Sequence, residues 1–120
     1  MKVSRDNDLE RLQHMFDAAQ KALSYGTGLT FEELKQDELR VLALARLLEI
    51  IGEAASKISP ETEAKYTQVP WIQMVGMRNH LIHGYFNVDL NIIWETLINN
   101  LPSLIQSLEE IIPLIQDQKD

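Results

Sequence analysis

Not one cysteine occurs among the 120 residues, which excludes disulfides, thiolate metal sites and cysteine nucleophiles. That absence fits a reducing compartment, and a cytoplasmic protein is expected. Glycine and proline are also few, at five and four residues, leaving little material for tight turns and pointing to helix. No apolar run is long enough to span a bilayer: the most apolar stretch, VLALARLLEII, is interrupted by Arg46 and Glu49. The opening MKVSRDNDLE is charged and lacks the apolar segment of a secretory leader, so none is expected. Basic residues are outnumbered, eleven Lys and Arg against eighteen Asp and Glu, for a net charge of −7. That balance argues against a broad basic surface for nucleic acid, so any RNA contact must be local or assembled from more than one chain. There is no glycine-rich phosphate loop and no nucleophile elbow.

What the chain does have is helical periodicity almost throughout. Over 8–25 the apolar stripe is Leu9, Leu12, Met15, Phe16, Ala19 and Leu23, with Gly26 as the stop. His14 falls off that stripe and reads as a surface histidine. Thr30 followed by Glu33 is a capping box for a short helix. Asp37 caps the next segment, 38–58, where Val41, Leu44, Ala45, Leu48, Ile51 and Ala55 form one apolar face. Ala43, Leu47, Ile50 and Ala54 carry that face around the back, leaving a polar wedge of Arg46, Glu49, Glu53 and Lys57. Such a helix is expected to be buried on more than one side, at the centre of a bundle or in a homodimer. Ser59-Pro60 opens a short helix ending at Tyr66. Asp89 caps the last region, where Leu90, Trp94, Leu97, Leu101, Leu104, Leu108, Ile111 and Ile115 form a seam. Pro102 and Pro113 predict a kink or break, and the tail QDQKD should fray. No strand pattern is visible. The expectation is one all-α domain over 1–120, an antiparallel helical bundle of about four to five main helices.

The stretch 71–85, WIQMVGMRNHLIHGY, is where pattern and residue type conflict. Pro70 suits a first helical position and Gly84 a helix stop, so a helix over 71–83 is expected. Its stripe of Trp71, Met74, Val75, Arg78, Leu81 and Ile82 contains an arginine, which is costly on a core-facing stripe unless paired. Glu53, on the polar wedge of the long helix, is either a solvated charge or that partner. Arg78 and His83 would diverge by about 140° on a straight helix, whereas Asn79 and His83 would share a face. Convergence needs the helix to end at His83, or two copies of the element to meet across a two-fold axis. Histidine can move protons near neutral pH and arginine can hold a phosphate, and together they suffice for metal-free RNA cleavage. A histidine would deprotonate the ribose 2′-OH for attack on the adjacent phosphorus, leaving a 2′,3′-cyclic phosphate and a 5′-hydroxyl. As bare spacing, the set is equally a capped helix end with a salt-bridged arginine. His80 and His83 with Asp89 lack a third helical ligand at metal-binding spacing.

These residues resemble a known family. RNHLIHGY, 78–85, is similar to the R-x4-H-x-Y motif of HepT-type toxins in the HEPN superfamily of small helical ribonucleases. Gly52-Glu53-Ala54-Ala55 resembles the family's element in the long helix. Val69-Pro70-Trp71 with Gly76-Met77-Arg78-Asn79 resembles the run into the motif, and Val88-Asp89, Trp94 and Leu101-Pro102 resemble the run out of it. The resemblance implies a homodimer with both motifs lining one cleft, Arg78 and His83 catalytic and Asn79 assisting. It implies that Tyr85 contributes to the site and accepts AMP from a partner, a minimal nucleotidyltransferase antitoxin that itself uses ATP and Mg²⁺. His80 is a further candidate substrate contact, and Glu53 a supporting residue. No cofactor and no membrane are expected for this chain, and RNA is the expected substrate. The alternative is a non-catalytic helical subunit that binds nucleotide or substrate for a two-component nucleotidyltransferase.

Overall fold

The computed structural model describes the backbone of residues 2–83 and 87–117 and the side chains of residues 7–82 and 87–117. Among these residues four long helices form the frame: α1 (Lys2–Gly26), α3 (Glu38–Ser56), α5 (Trp71–Leu81) and α7 (Leu101–Asp117). Three short ones, α2 (Phe31–Lys35), α4 (Pro60–Lys65) and α6 (Leu90–Glu95), lie in the connections. A π-helical turn, Thr96–Asn100, joins α6 to α7. The fold is all-α, with α1 packed on both α3 and α7 and α3 packed in turn on α5. Among the described residues no helix is long and apolar enough to cross a membrane.

Helix starts obey local chemistry. Thr30 and Glu33 form both halves of the capping box, with Thr30 Oγ1 accepting from Glu33 N at 3.1 Å and Glu33 Oε1 from Thr30 N at 2.9 Å. Asp37, Ser59 and Asp89 cap α3, α4 and α6 through their side-chain oxygens. The expected stripes meet in one core, where Leu12 and Met15 of α1, Leu44, Leu48 and Ile51 of α3, and Leu104 and Leu108 of α7 are fully buried. Trp71 is buried too, its indole Nε1 donating to Tyr66 O at 3.0 Å.

Several element ends differ from the sequence reading. The first helix starts at Lys2 rather than Asp8, and its terminal turn is released by Gly28, whose φ of +84° is left-handed, not by Gly26. The long helix stops at Ser56, two residues before the expected end. Pro70 occupies the N-cap rather than the first helical position. The α5 helix ends at Leu81, and Ile82–His83 forms a two-residue strand, β1, paired antiparallel with β2 (Asn87–Val88). The cause is visible at Leu81: its carbonyl, which a continuing helix would offer to residue 85, accepts from Asp89 N at 2.8 Å. Gly84, the expected stop, lies outside the described residues, as does the tail 118–120. The break expected near Pro102 takes the form of the π turn immediately before it, which accommodates a residue with no N–H. Pro113, by contrast, lies inside α7 without ending it.

Asp8 gave no signal in sequence beyond its place on α1, yet it is 1% exposed. Its carboxylate accepts from Ser59 N at 3.0 Å, Ser59 Oγ at 2.6 Å and Thr62 Oγ1 at 2.5 Å. It thereby ties α1 to the N-terminus of α4, where the exposed amides favour a negative charge.

At Gly52, α3 crosses α5 in close approach. A Cβ added there would overlap Arg78 Cβ, lie 2.9 Å from Arg78 Cγ and 3.0 Å from Met74 O. Two of these neighbours are too near the backbone to swing away, so only glycine allows the approach. Gly76, one face round on α5, has nothing within 4 Å of its would-be Cβ. Gly52→Ala should therefore cost roughly 2–3 kcal/mol by overpacking, lowering Tm by on the order of 10 °C, whereas Gly76→Ala should be neutral or stabilising. Thermal denaturation of the two variants side by side checks this; equal Tm values would contradict the crossing.

Candidate active site

Arg78 stands near the C-terminal end of α5, with the base of its side chain laid across Gly52. The crossing leaves it one direction to run, along α3 toward Glu53. There Nη1 donates to Glu53 Oε1 at 2.5 Å, while Nε donates to Asn79 Oδ1 at 3.1 Å. The side chain is 27% exposed, and its Nη2 has no partner among the described residues. The other carboxylate oxygen of Glu53 lies 3.5 Å from Lys57 Nζ. The hydrogen bond and charge of Arg78, with a smaller contribution from Lys57, hold the Glu53 carboxyl below the ordinary carboxylate range. A depressed pKa means that the pair's contribution to stability is present above the ordinary carboxylate pKa and is lost only as pH falls through the lowered one. At neutral pH the arginine is thus held by an ionised partner.

The structure joins some of the predicted site residues and separates others. Arg78, Glu53 and Asn79 form one connected group. His83 leaves α5 altogether, so its supposed 140° divergence from Arg78 and its shared face with Asn79, both helix geometries, do not apply. The side chain of His83 and the whole of Tyr85 lie outside the described residues. His80 points the other way: it lines a pocket of about 290 Å³ with Gln73, Met77, Glu95 and Asn100, apart from Arg78 and Glu53. Its Nδ1 donates to Gly76 O at 2.9 Å, since a carbonyl can only accept. His80 is therefore not part of the Arg78 group.

One feature escaped the sequence reading: Lys57 is the second cation on Glu53, although i, i+4 spacing was available to reveal it. Of the two placements expected for α3, bundle centre or homodimer, the single chain does not provide full cover: Leu39 is 82% and Leu42 53% exposed, and Ile72 at the start of α5 is 89% exposed. Hydrophobic periodicity shows which side chains are apolar, not which have a neighbour. Arg11, His14 and Arg46 meet Glu53 and Lys57 along a shallow groove between α1 and α3.

Comparison with known proteins identifies the family. The family profile described as "Ribonuclease HepT-like" matches residues 15–111. A protein provisionally named an RNase from Caldanaerobacter subterraneus subsp. tengcongensis is 38% identical over 101 residues, which cover 84% of this chain and 90% of that one. A similarly named protein of Methanocaldococcus jannaschii is 38% identical over 98 residues, covering 82% of this chain and 81% of the other. A probable ribonuclease HepT of Thermococcus cleftensis is 33% identical over 100 residues, covering 83% and 91%. No solved structure matches the chain. With the matched span running from α1 through the motif into α7, the chain belongs to the HepT-like ribonuclease family.

Proposed function

We propose that this chain is the toxin of a toxin–antitoxin pair, a metal-independent endoribonuclease of the cytoplasm acting through Arg78 and His83. The observation that carries the reading is the state of Arg78. Glu53 and Asn79 fix two of its three guanidinium nitrogens, and the third has no partner among the described residues. A guanidinium held this way is ready for a phosphoryl oxygen without losing further side-chain entropy. Just beyond it, α5 gives way to the strand carrying His83.

In the reaction, His83 takes the proton of the ribose 2′-OH and the oxygen attacks the neighbouring phosphorus. Arg78 neutralises the charge that grows on the non-bridging oxygens. The P–O5′ bond breaks, and the 5′-oxygen receives a proton in place of the one His83 removed from the 2′-OH, delivered by the His83 imidazolium. The products are a 2′,3′-cyclic phosphate and a 5′-hydroxyl. Asn79 keeps the guanidinium plane oriented, and Glu53 is a positioning residue. The active form is a homodimer, supported by the exposed Leu39, Leu42 and Ile72 on the two helices that cross beside Arg78. A second copy brings another arginine and histidine to the same cleft, which raises the local density of cations although the net charge of −7 per chain is unchanged. The partner is a minimal nucleotidyltransferase that uses ATP and Mg²⁺ to place AMP on Tyr85. Bulk and negative charge on Tyr85 would then exclude RNA from Arg78 by occlusion and repulsion.

Two outcomes are expected. Inducible expression without the partner should arrest growth, and purified protein should cut RNA in the presence of a chelator, leaving cyclic phosphate ends. Arg78→Ala or His83→Ala should each lower cleavage by at least about a hundredfold, while sedimenting, like wild type, at twice the chain mass of 13.8 kDa. A soluble wild type that neither arrests growth nor cuts RNA would favour the nucleotide-binding subunit instead. In the second, co-expression with the nucleotidyltransferase should add AMP to the wild type but not to Tyr85→Phe, which stays toxic. Intact-mass and peptide mapping that found AMP on another residue would remove Tyr85 from the mechanism.

A further inference from the structure

Although the chain carries a net charge of −7, its basic residues are not spread evenly. Arg11 from α1, Arg46 from α3 and Lys57 just past the end of α3 line one groove of about 230 Å³, with Glu53 in its wall. Since Glu53 is the partner of Arg78, the groove leads to the guanidinium assigned to the scissile phosphate. Four of the chain's eleven basic residues thus line the groove or pair with Glu53 in its wall. Along the groove three cations, Arg11, Arg46 and Lys57, stand with two carboxylates, Glu10 and Glu53, and Arg78 adds a further cation on Glu53.

The remaining contacts leave the charges of Arg46 and Arg11 available, while Lys57 also faces Glu53. Arg46 is 72% exposed and its ion pair with Glu49 is long, at 3.9 Å. Arg11 donates from Nη1 to Lys57 O at 3.1 Å, a neutral acceptor that anchors the guanidinium at the end of α3 and leaves its charge available to an anion. Between the cations, Ile50 and His14 add an apolar side chain and a ring. Alternating cations with flat or apolar surface suits a single strand, whose phosphates seek charge and whose unstacked bases seek a face. Leu39 and Leu42, assigned to the dimer, lie two turns and one turn before Arg46 on the same stripe of α3, so this end of the groove borders the dimer patch.

We propose that the groove between α1 and α3 binds the single-stranded RNA flanking the cleaved phosphodiester, with Arg11, Arg46 and Lys57 as phosphate contacts and His14 and Ile50 against a base. The proposal rests on the ribonuclease reading, and its test separates the two. Full-length His83→Ala protein, which binds without cutting, is titrated into a labelled single-stranded oligoribonucleotide and followed by fluorescence anisotropy over a range of salt. Adding Arg46→Glu should weaken binding about tenfold or more at low salt, and Arg11→Gln less steeply. Each lost contact should reduce the slope of log affinity against log salt by about 0.7. Lys21→Glu, an exposed charge on α1 outside the groove, should change affinity by less than about twofold.

In the cleavage-competent chain, Arg46→Glu should raise KM and leave kcat nearly unchanged, as expected of a contact remote from the reacting atoms. Arg46 is the informative position because its side chain is solvent-facing and its replacement should not disturb folding. A wild type that cuts RNA while Arg46→Glu and Lys21→Glu bind alike would overturn the groove alone. A wild type that neither binds nor cuts RNA would overturn the ribonuclease reading and the groove with it.

Discussion

The crossing of α3 over α5 at Gly52 is the constraint on which the site depends. Removing one Cβ brings two helix backbones close enough for Arg78 to lie across the contact and reach Glu53 in the next position of the same chain. Glycine and glutamate therefore act as a unit: one opens the space, the other determines where the guanidinium stops. Adjacent helix positions differ by about 100°, so Gly52 can face α5 while Glu53 sits at the edge of the contact and exposed to solvent. That arrangement resolves the conflict of an arginine on an apolar stripe. Its stem is packed and its head is paired at the border of the core.

Local chemistry was readable in the sequence, and features that depended on distant partners were not. The Thr30–Glu33 box, the Asp37, Ser59 and Asp89 caps and the leucine seam of the last helix each depend on residues within a few positions, and they formed as read. The end of α5 did not, because the carbonyl of Leu81 is taken by Asp89, beyond a loop that no helix pattern encodes. Asp8 is held by Ser59 and Thr62, more than fifty positions away, so its burial had no local trace. The exposed Leu39 and Ile72 show the same limit from the other side. Both are apolar and fall off the expected stripes, and the single chain supplies no cover for them.

Within the site, the Arg78–Glu53 partnership was one of two open readings of the sequence and is the one found. His80 was grouped with the motif by proximity along the chain, yet α5 turns it toward Gln73, Glu95 and Asn100. A helix places neighbours in sequence on different faces, so closeness in the motif does not mean closeness in the site. The acidity that weighed against RNA is likewise a global number. Arg11, Arg46 and Lys57 line the groove whose wall holds Glu53, the partner of Arg78, where a local contact with phosphate would need them.

If Glu53 serves RNA cleavage only by holding Arg78 in place, its removal must show in the chemical step. The measurement is kcat for RNA cleavage by Glu53→Ala, with Glu53→Gln alongside. In the alanine variant kcat should fall by on the order of tenfold to a hundredfold, with folding and dimer mass retained. Glutamine, which can still accept from the guanidinium, should recover part of the loss. A Glu53→Ala protein that cuts RNA at the wild-type rate, while Arg78→Ala is inactive, would contradict this role.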